Sequence, residues 1–172
     1  MNILAPVPRL LVCLAALSVL AACGGEDAAD PPAQEQVEAE VVDPTTVEYS
    51  PELDIDFAQM ERTRRGVYFR DDETGSGAEA ADGSTVVVNY TGFLSDGEMF
   101  ESSAEEDAPL EFELGAQEVI PGFDEGLRGM REGGRRTLVI PPQLAYGAQS
   151  VGDGQIPPNS VLVFEVQLVE VR

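Results

Sequence analysis

Ser84-Thr85-Val86-Val87-Val88-Asn89-Tyr90-Thr91-Gly92-Phe93-Leu94 decides the fold class. Val86, Val88 and Tyr90 fall on one face of an extended chain, and Val87, Asn89 and Thr91 on the other. That is the period of two that a half-buried strand requires. Ser95-Asp96-Gly97 follows as a hairpin-like turn. Working outward, Val67 to Arg70 is a short strand candidate, and Leu110-Glu111-Phe112-Glu113-Leu114 alternates throughout. Arg136 to Ile140 and Val161 to Val171 supply two more strands, the latter with Leu162, Phe164, Val166 and Leu168 on one face. Phe123, Leu127 and Met130 have helical spacing, and Pro121-Gly122 before them is a natural helix start. Four or five antiparallel strands with one short helix packed on a face of the sheet make an α+β architecture.

The 172 residues leave room for one domain and a tail. There are 32 acidic against 10 basic residues, a net charge of -22, and every basic residue is arginine. Such a surface repels phosphate, which disfavours nucleic acid as a partner. With no His and no Lys, the chain has no imidazole base, no His metal site, no Schiff-base lysine and no phosphate-gripping lysine. No cofactor and no metal are expected. Both cysteines, Cys13 and Cys23, lie in the first stretch, so the folded part has neither disulfide nor thiol chemistry.

Arg9 and the amino terminus supply a positive start, and Leu10 to Leu20 an apolar run too short to span a bilayer as a mature helix. This is the pattern of a signal peptide over residues 1–22. The run ends in Leu20-Ala21-Ala22-Cys23, which resembles the lipobox of bacterial lipoproteins; the resemblance implies that Cys23 is lipidated and becomes the first mature residue. More than one acyl chain, at about 0.8 kcal/mol per buried methylene, anchors a protein stably to a membrane. Gly24 in place of Asp after the cysteine implies the outer membrane, facing the periplasm. Residues 23–50 are expected to be the lipidated Cys and an acidic linker. From Glu26 to about Thr46 the chain is rich in Ala, Pro, Glu, Asp and Val without helical or strand period, a disordered and self-repelling spacer. The domain then spans 51–172, and the alternating Leu53-Asp54-Ile55-Asp56-Phe57 is expected to pack on its edge.

Several motifs carry no chemistry. Gly75-Ser76-Gly77-Ala78-Glu79-Ala80 fits a dinucleotide fingerprint in letters only, because no helix follows it. Asn89-Tyr90-Thr91 matches a glycosylation sequon but lies inside a strand. Glu105 and Glu106 have no calcium-loop spacing and are expected to belong to a solvated loop. Arg128, Arg131, Arg135 and Arg136 are expected to be balanced by surface carboxylates.

One constellation remains. Tyr90-Thr91-Gly92, Phe100-Glu101-Ser102-Ser103, Val119-Ile120-Pro121-Gly122-Phe123, Ala145-Tyr146-Gly147 and Ile156-Pro157-Pro158 occur in that order, ending in Leu162-Val163-Phe164-Glu165-Val166. The succession, over about Gly66 to Arg172, resembles the FKBP-type peptidyl-prolyl cis-trans isomerases. The resemblance implies a curved antiparallel sheet wrapped around one short helix, with a hydrophobic cleft between them. Matched position by position, it implies catalytic roles for Tyr90, Phe100, Glu101 and Tyr146. Substrate binding would fall to Leu110, Phe112, Val119, Ile120, Phe123, Ile156 and Phe164. By the same analogy Phe123 forms the floor beneath the proline ring, while the Ile120 N–H and the Tyr146 hydroxyl hold the flanking carbonyls. For Phe112 and Phe164 plain core packing is an equal reading.

The implied activity suits the composition. An X–Pro bond rotates over a barrier of roughly 18–20 kcal/mol without any bond breaking, so neither nucleophile nor metal is needed. The expected partners are proline-containing polypeptides of the envelope, and with no long helical arm the expected state is a monomer. The chain departs from the family pattern at Glu101, where Asp is usual, at Phe123 in place of Trp, at Leu110 in place of an aromatic, and in a longer Gly147–Gln155 loop without His. These departures motivate the alternative of a non-catalytic chaperone or binding module on the same fold.

Overall fold

The computed structural model describes residues 41–103 and 108–172. The expected signal peptide, Cys23, the linker up to residue 40 and the Glu105-Glu106 pair lie outside the described residues. Among the described residues seven strands, β1 (Glu61–Arg62), β2 (Tyr68–Glu73), β3 (Thr85–Leu94), β4 (Met99–Ser102), β5 (Leu110–Glu113), β6 (Arg135–Ile140) and β7 (Leu162–Val171), form one sheet with a single α-helix, α1 (Pro121–Leu127). The strand order is β1-β2-β6-β7-β3-β4, antiparallel at every pairing, with β5 also bonded to β3. β3 is the spine: β7 runs along one side of it, while β5 takes the first half of the other side and β4 the second. β1 and β4 are absent from the sequence reading because two and four residues carry too few alternations to show a period.

The alternation foreseen in β3 and β7 divides the sheet into two faces. On the helix side Val86, Val88, Leu138, Ile140, Leu162, Phe164, Val166 and Leu168 are buried with Phe123, Leu127 and Met130 in the main core. On the opposite side Val139, Val161 and Val163 are buried with Leu53 in a second, smaller core.

That second core corrects the expected linker boundary. Val42, Val47, Tyr49, Ile55, Phe57 and Met60 all pack against it, so a strap of residues 42–60 covers the face of the sheet rather than its edge. Pro44–Thr46, expected to belong to the spacer, is a 3-10 turn capped by the Asp43 carboxylate, which accepts from the Thr45 N–H at 3.0 Å. The Tyr49 hydroxyl donates to the Pro44 carbonyl at 2.8 Å. The Ser50 N–H donates to the Ser95 carbonyl at 2.8 Å, tying the strap to the β3–β4 turn.

The helix is seated by close approach. A Cβ on Gly122 would lie 2.2 Å from Ile140 Cγ2, and one on Gly126 would lie 2.8 Å from the Leu138 methyls. Arg136, on β6, is buried and donates to the Gly126 and Arg128 carbonyls at 2.8 and 3.2 Å. Its other nitrogens grip both Asp71 oxygens at 2.6 and 3.0 Å, and its guanidinium lies 4.4 Å from the Phe69 ring centre. The other three arginines of the basic cluster are balanced at the surface: Arg128 by Asp82 and Asp124, Arg131 by Glu79 and Arg135 by Glu73.

Leu53 is the strap's buried anchor, so Leu53→Ala is expected to lower the unfolding free energy by about 2–4 kcal/mol. Urea unfolding checks this, and a loss below about 0.5 kcal/mol would mean that the strap adds nothing to the domain.

Candidate active site

On the helix side of the sheet an open cleft of about 470 Å³ is lined by Tyr90, Glu101, Leu110, Glu118, Val119, Ile120, Phe123, Tyr146 and Phe164. Eight of the eleven residues named from the sequence are in that lining. Of the other three, Phe112 and Ile156 are buried in the main core and Phe100 is half-buried against it. A polar groove of about 430 Å³ elsewhere mixes charges that are already paired, Arg70 with Asp54 and Asp72 among them.

Phe123 is only 3 % exposed and sits among aromatic neighbours. Its ring centre is 5.1 Å from Phe164, 5.7 Å from Tyr90 and 6.0 Å from Phe112, the first two edge-on. The local sequence forces this placement. Pro121 starts α1 with a preset φ, Gly122 brings the backbone against Ile140, and the next side chain lands among the aromatics of β3, β5 and β7.

β4 supplies Glu101 through a bulge. Gly92 pairs with Glu101 and Phe93 with Met99, which leaves Phe100 as the extra residue. Neighbours on a regular strand point to opposite faces, but here Glu101 lines the cleft while Phe100 lies edge-on to Phe164, ring centres 5.6 Å apart, in the same core. Gly92 makes the room: a Cβ there would be 2.5 Å from Phe100 Cζ and 2.9 Å from Phe164 Cε1. In the sequence the signal of that role is a glycine inside an otherwise bulky strand.

Two donors belong to residues that line the cleft. Ile120 stands just before α1, where its carbonyl accepts from the Phe123 and Asp124 N–H groups at 3.0 and 3.2 Å. Its own N–H has no acceptor among the described residues. Tyr146 follows the 3-10 turn Pro142–Leu144, and burial, with the charge of Glu101 adding to it, raises its hydroxyl pKa. The phenol therefore stays a donor through the neutral range.

The loop behind Tyr146 is built rather than loose. The Gly147 N–H donates to Pro142 and the Gly147 carbonyl accepts from Asn159, at 2.8 and 2.7 Å. Val151 and Ile156 exchange backbone bonds of 3.0 Å each, and Ile156, 5 % exposed, roots the loop in the core. Glu118 was missed from the sequence, where one more carboxylate among 32 acidic residues carries no signal. Its Oε2 accepts from the Glu113 N–H at 3.0 Å, which fixes it at the mouth of the cleft. Among the described residues no group of three or more His, Cys, Asp or Glu could hold a metal.

Residues 77–169 match the family model of the FKBP-type peptidyl-prolyl cis-trans isomerases. The chain is 46% identical over 106 residues to an FK506-binding protein of Neisseria meningitidis serogroup B, covering 62% of this chain and 96% of that protein. It is 48% identical over 107 residues to the FKBP-type peptidyl-prolyl cis-trans isomerase FkpA of Escherichia coli K12, covering 62% of this chain and 38% of that protein. The crystal structure of FkpA superposes with a TM-score of 0.60 at 45% identity, over 66% of this chain and 52% of that one. The crystal structure of AtFKBP13 does so with a TM-score of 0.61 at 38% identity, over 66% of this chain and 98% of that one. The fold is thus the FKBP-like sheet around a short helix. The chain belongs to the FKBP-type peptidyl-prolyl cis-trans isomerases, enzymes that speed rotation about the X–Pro bond.

The raised Tyr146 pKa sets a pH expectation. The proton is retained past the ordinary tyrosine value near 10, so isomerisation followed by NMR exchange should hold level from about pH 6 to about pH 9. A decline centred below about pH 9 that is absent in Tyr146→Phe would show the hydroxyl ionising early and remove it as the donor.

Proposed function

We propose that this cleft is where the chain isomerises X–Pro bonds, acting on proline-containing polypeptides of the cell envelope. The observation that carries the reading is a pair of donors, the Ile120 N–H and the Tyr146 hydroxyl, with no acceptor among the described residues, beside a buried aromatic floor at Phe123. The proline ring rests on Phe123, and the two donors hold the carbonyls on either side, so the twist falls on the imide bond between them. A planar amide is more charge-separated than a twisted one, so an apolar wall favours the twisted state over the planar one. Bringing a rotation of tens of seconds to milliseconds takes about 4–5 orders of magnitude, roughly 6 kcal/mol. Nothing is ionised or broken, which fits a chain without His or Lys.

In Tyr146→Phe, Phe100→Ala the hydroxyl donor is lost and the wall behind Phe164 collapses. This double variant is expected to lose about ten- to a hundredfold in kcat/KM on an X–Pro peptide while keeping its far-UV spectrum. A folded double variant as active as the parent would move the chemistry away from this cleft.

The sequence pattern at Leu20-Ala21-Ala22-Cys23, with Gly24 after it, supports a cellular setting for this activity. The enzyme is held by acyl chains on Cys23 at the outer membrane, faces the periplasm, and works as a monomer. Expressed with its own leader in a diderm bacterium, Cys23→Ala is expected to pass from the membrane fraction to the soluble fraction. A variant that stays with the membrane would remove the lipid anchor from the account.

A further inference from the structure

We infer that the cleft selects prolines flanked by positively charged residues, through the carboxylates of Glu101 on β4 and Glu118 on the loop entering α1. The inference rests on the cleft being the isomerase site and goes on to name the kind of polypeptide it prefers.

Among the described residues the cleft lining contains two carboxylates and no cation. The described arginines that form ion pairs do so elsewhere, and none is paired with Glu101 or Glu118. The nearest elements show the same commitment: Arg128 of the α1 end is held by Asp82 and Asp124, and Arg65 by Glu125. Neither carboxylate has an ion-pair partner among the described residues. The bulge opposite Gly92 places the backbone of Glu101, and the backbone N–H that holds the Glu118 carboxylate belongs to Glu113, itself acidic. The field of Glu101 is felt inside the cleft, since it helps to raise the Tyr146 hydroxyl pKa.

A charge on the wall of an apolar cleft is screened less than one on an open surface. A lysine or arginine beside the proline can lay its methylene stem along Leu110 or Val119 and bring its head to a carboxylate, whereas an acidic neighbour is repelled. Exposed pairs of this kind give modest effects each, and two acting together predict about a three- to tenfold preference at low salt.

The test uses X–Pro peptides that differ only beside the proline, carrying Lys, norleucine or Glu. kcat/KM is measured at about 20 mM and about 500 mM salt, where the screening length falls several-fold. The expected order is Lys, then norleucine, then Glu, converging at high salt. Glu118→Gln and Glu101→Gln should each narrow the Lys-to-Glu ratio, whereas Glu61→Gln on exposed β1 should leave it alone. If Lys and Glu peptides are turned over equally at low salt while norleucine is a good substrate, the selectivity is overturned and the isomerase site stands. If all three variants narrow the ratio alike, the overall charge of -22 is responsible and these two residues are not. If no peptide is isomerised, the reading of the cleft as the active site falls and this inference falls with it.

Discussion

The fold depends on how a helix of seven residues is held against the sheet. A helix this short has no stability of its own in water, and Ile120 at its N-cap contributes no side-chain cap. The sheet supplies what the helix lacks. Gly122 and Gly126 remove the side chains that would hold the backbone away from Ile140 and Leu138. Arg136 then closes the far end, placing positive charge where the helix carbonyls concentrate negative charge. Bringing a guanidinium into the core would be costly alone, but Asp71 meets it with two bonds and Phe69 with its ring.

The cleft is a product of that seating. With α1 pressed onto β6, Phe123 is carried among Tyr90, Phe112 and Phe164, whose edges fix the direction of its ring. Ile120 is the last extended residue before the helix, with φ -58° and ψ 141°. Its carbonyl opens the helical bonding while its N–H falls outside the ladder, so the helix start itself leaves a backbone donor over. The same residue that caps the helix therefore lines the cleft.

The two long strands were legible because ten residues repeat the period often enough to assign both faces, and the structure buries Val86, Val88, Phe164 and Leu168 on the side the alternation gives them. β4 was not legible, since four residues with a bulge break the period where Phe100 and Glu101 need it broken. Residue type alone does not separate Phe112 and Ile156, which stand behind the wall, from Leu110 and Val119, which form it. That distinction is tertiary. The strap was hidden by its company: Val42, Val47 and Tyr49 are irregularly spaced among acids and prolines, because they bury side chains without joining the ladder.

The strap also decides how the domain bears load. Its apolar side chains lie on the sheet face opposite the one that carries the cleft, fastened by burial at Leu53 and by the bond from Ser50 to Ser95. A pull on the chain ahead of Val41 reaches this layer first and peels it from Val139, Val161 and Val163 one contact at a time. The β3–β7 ladder, whose many bonds resist together, lies further along the chain. Released, residues 42–60 add about 60 Å of slack to the chain. That slack comes from the face of the sheet opposite the one that carries the aromatic floor.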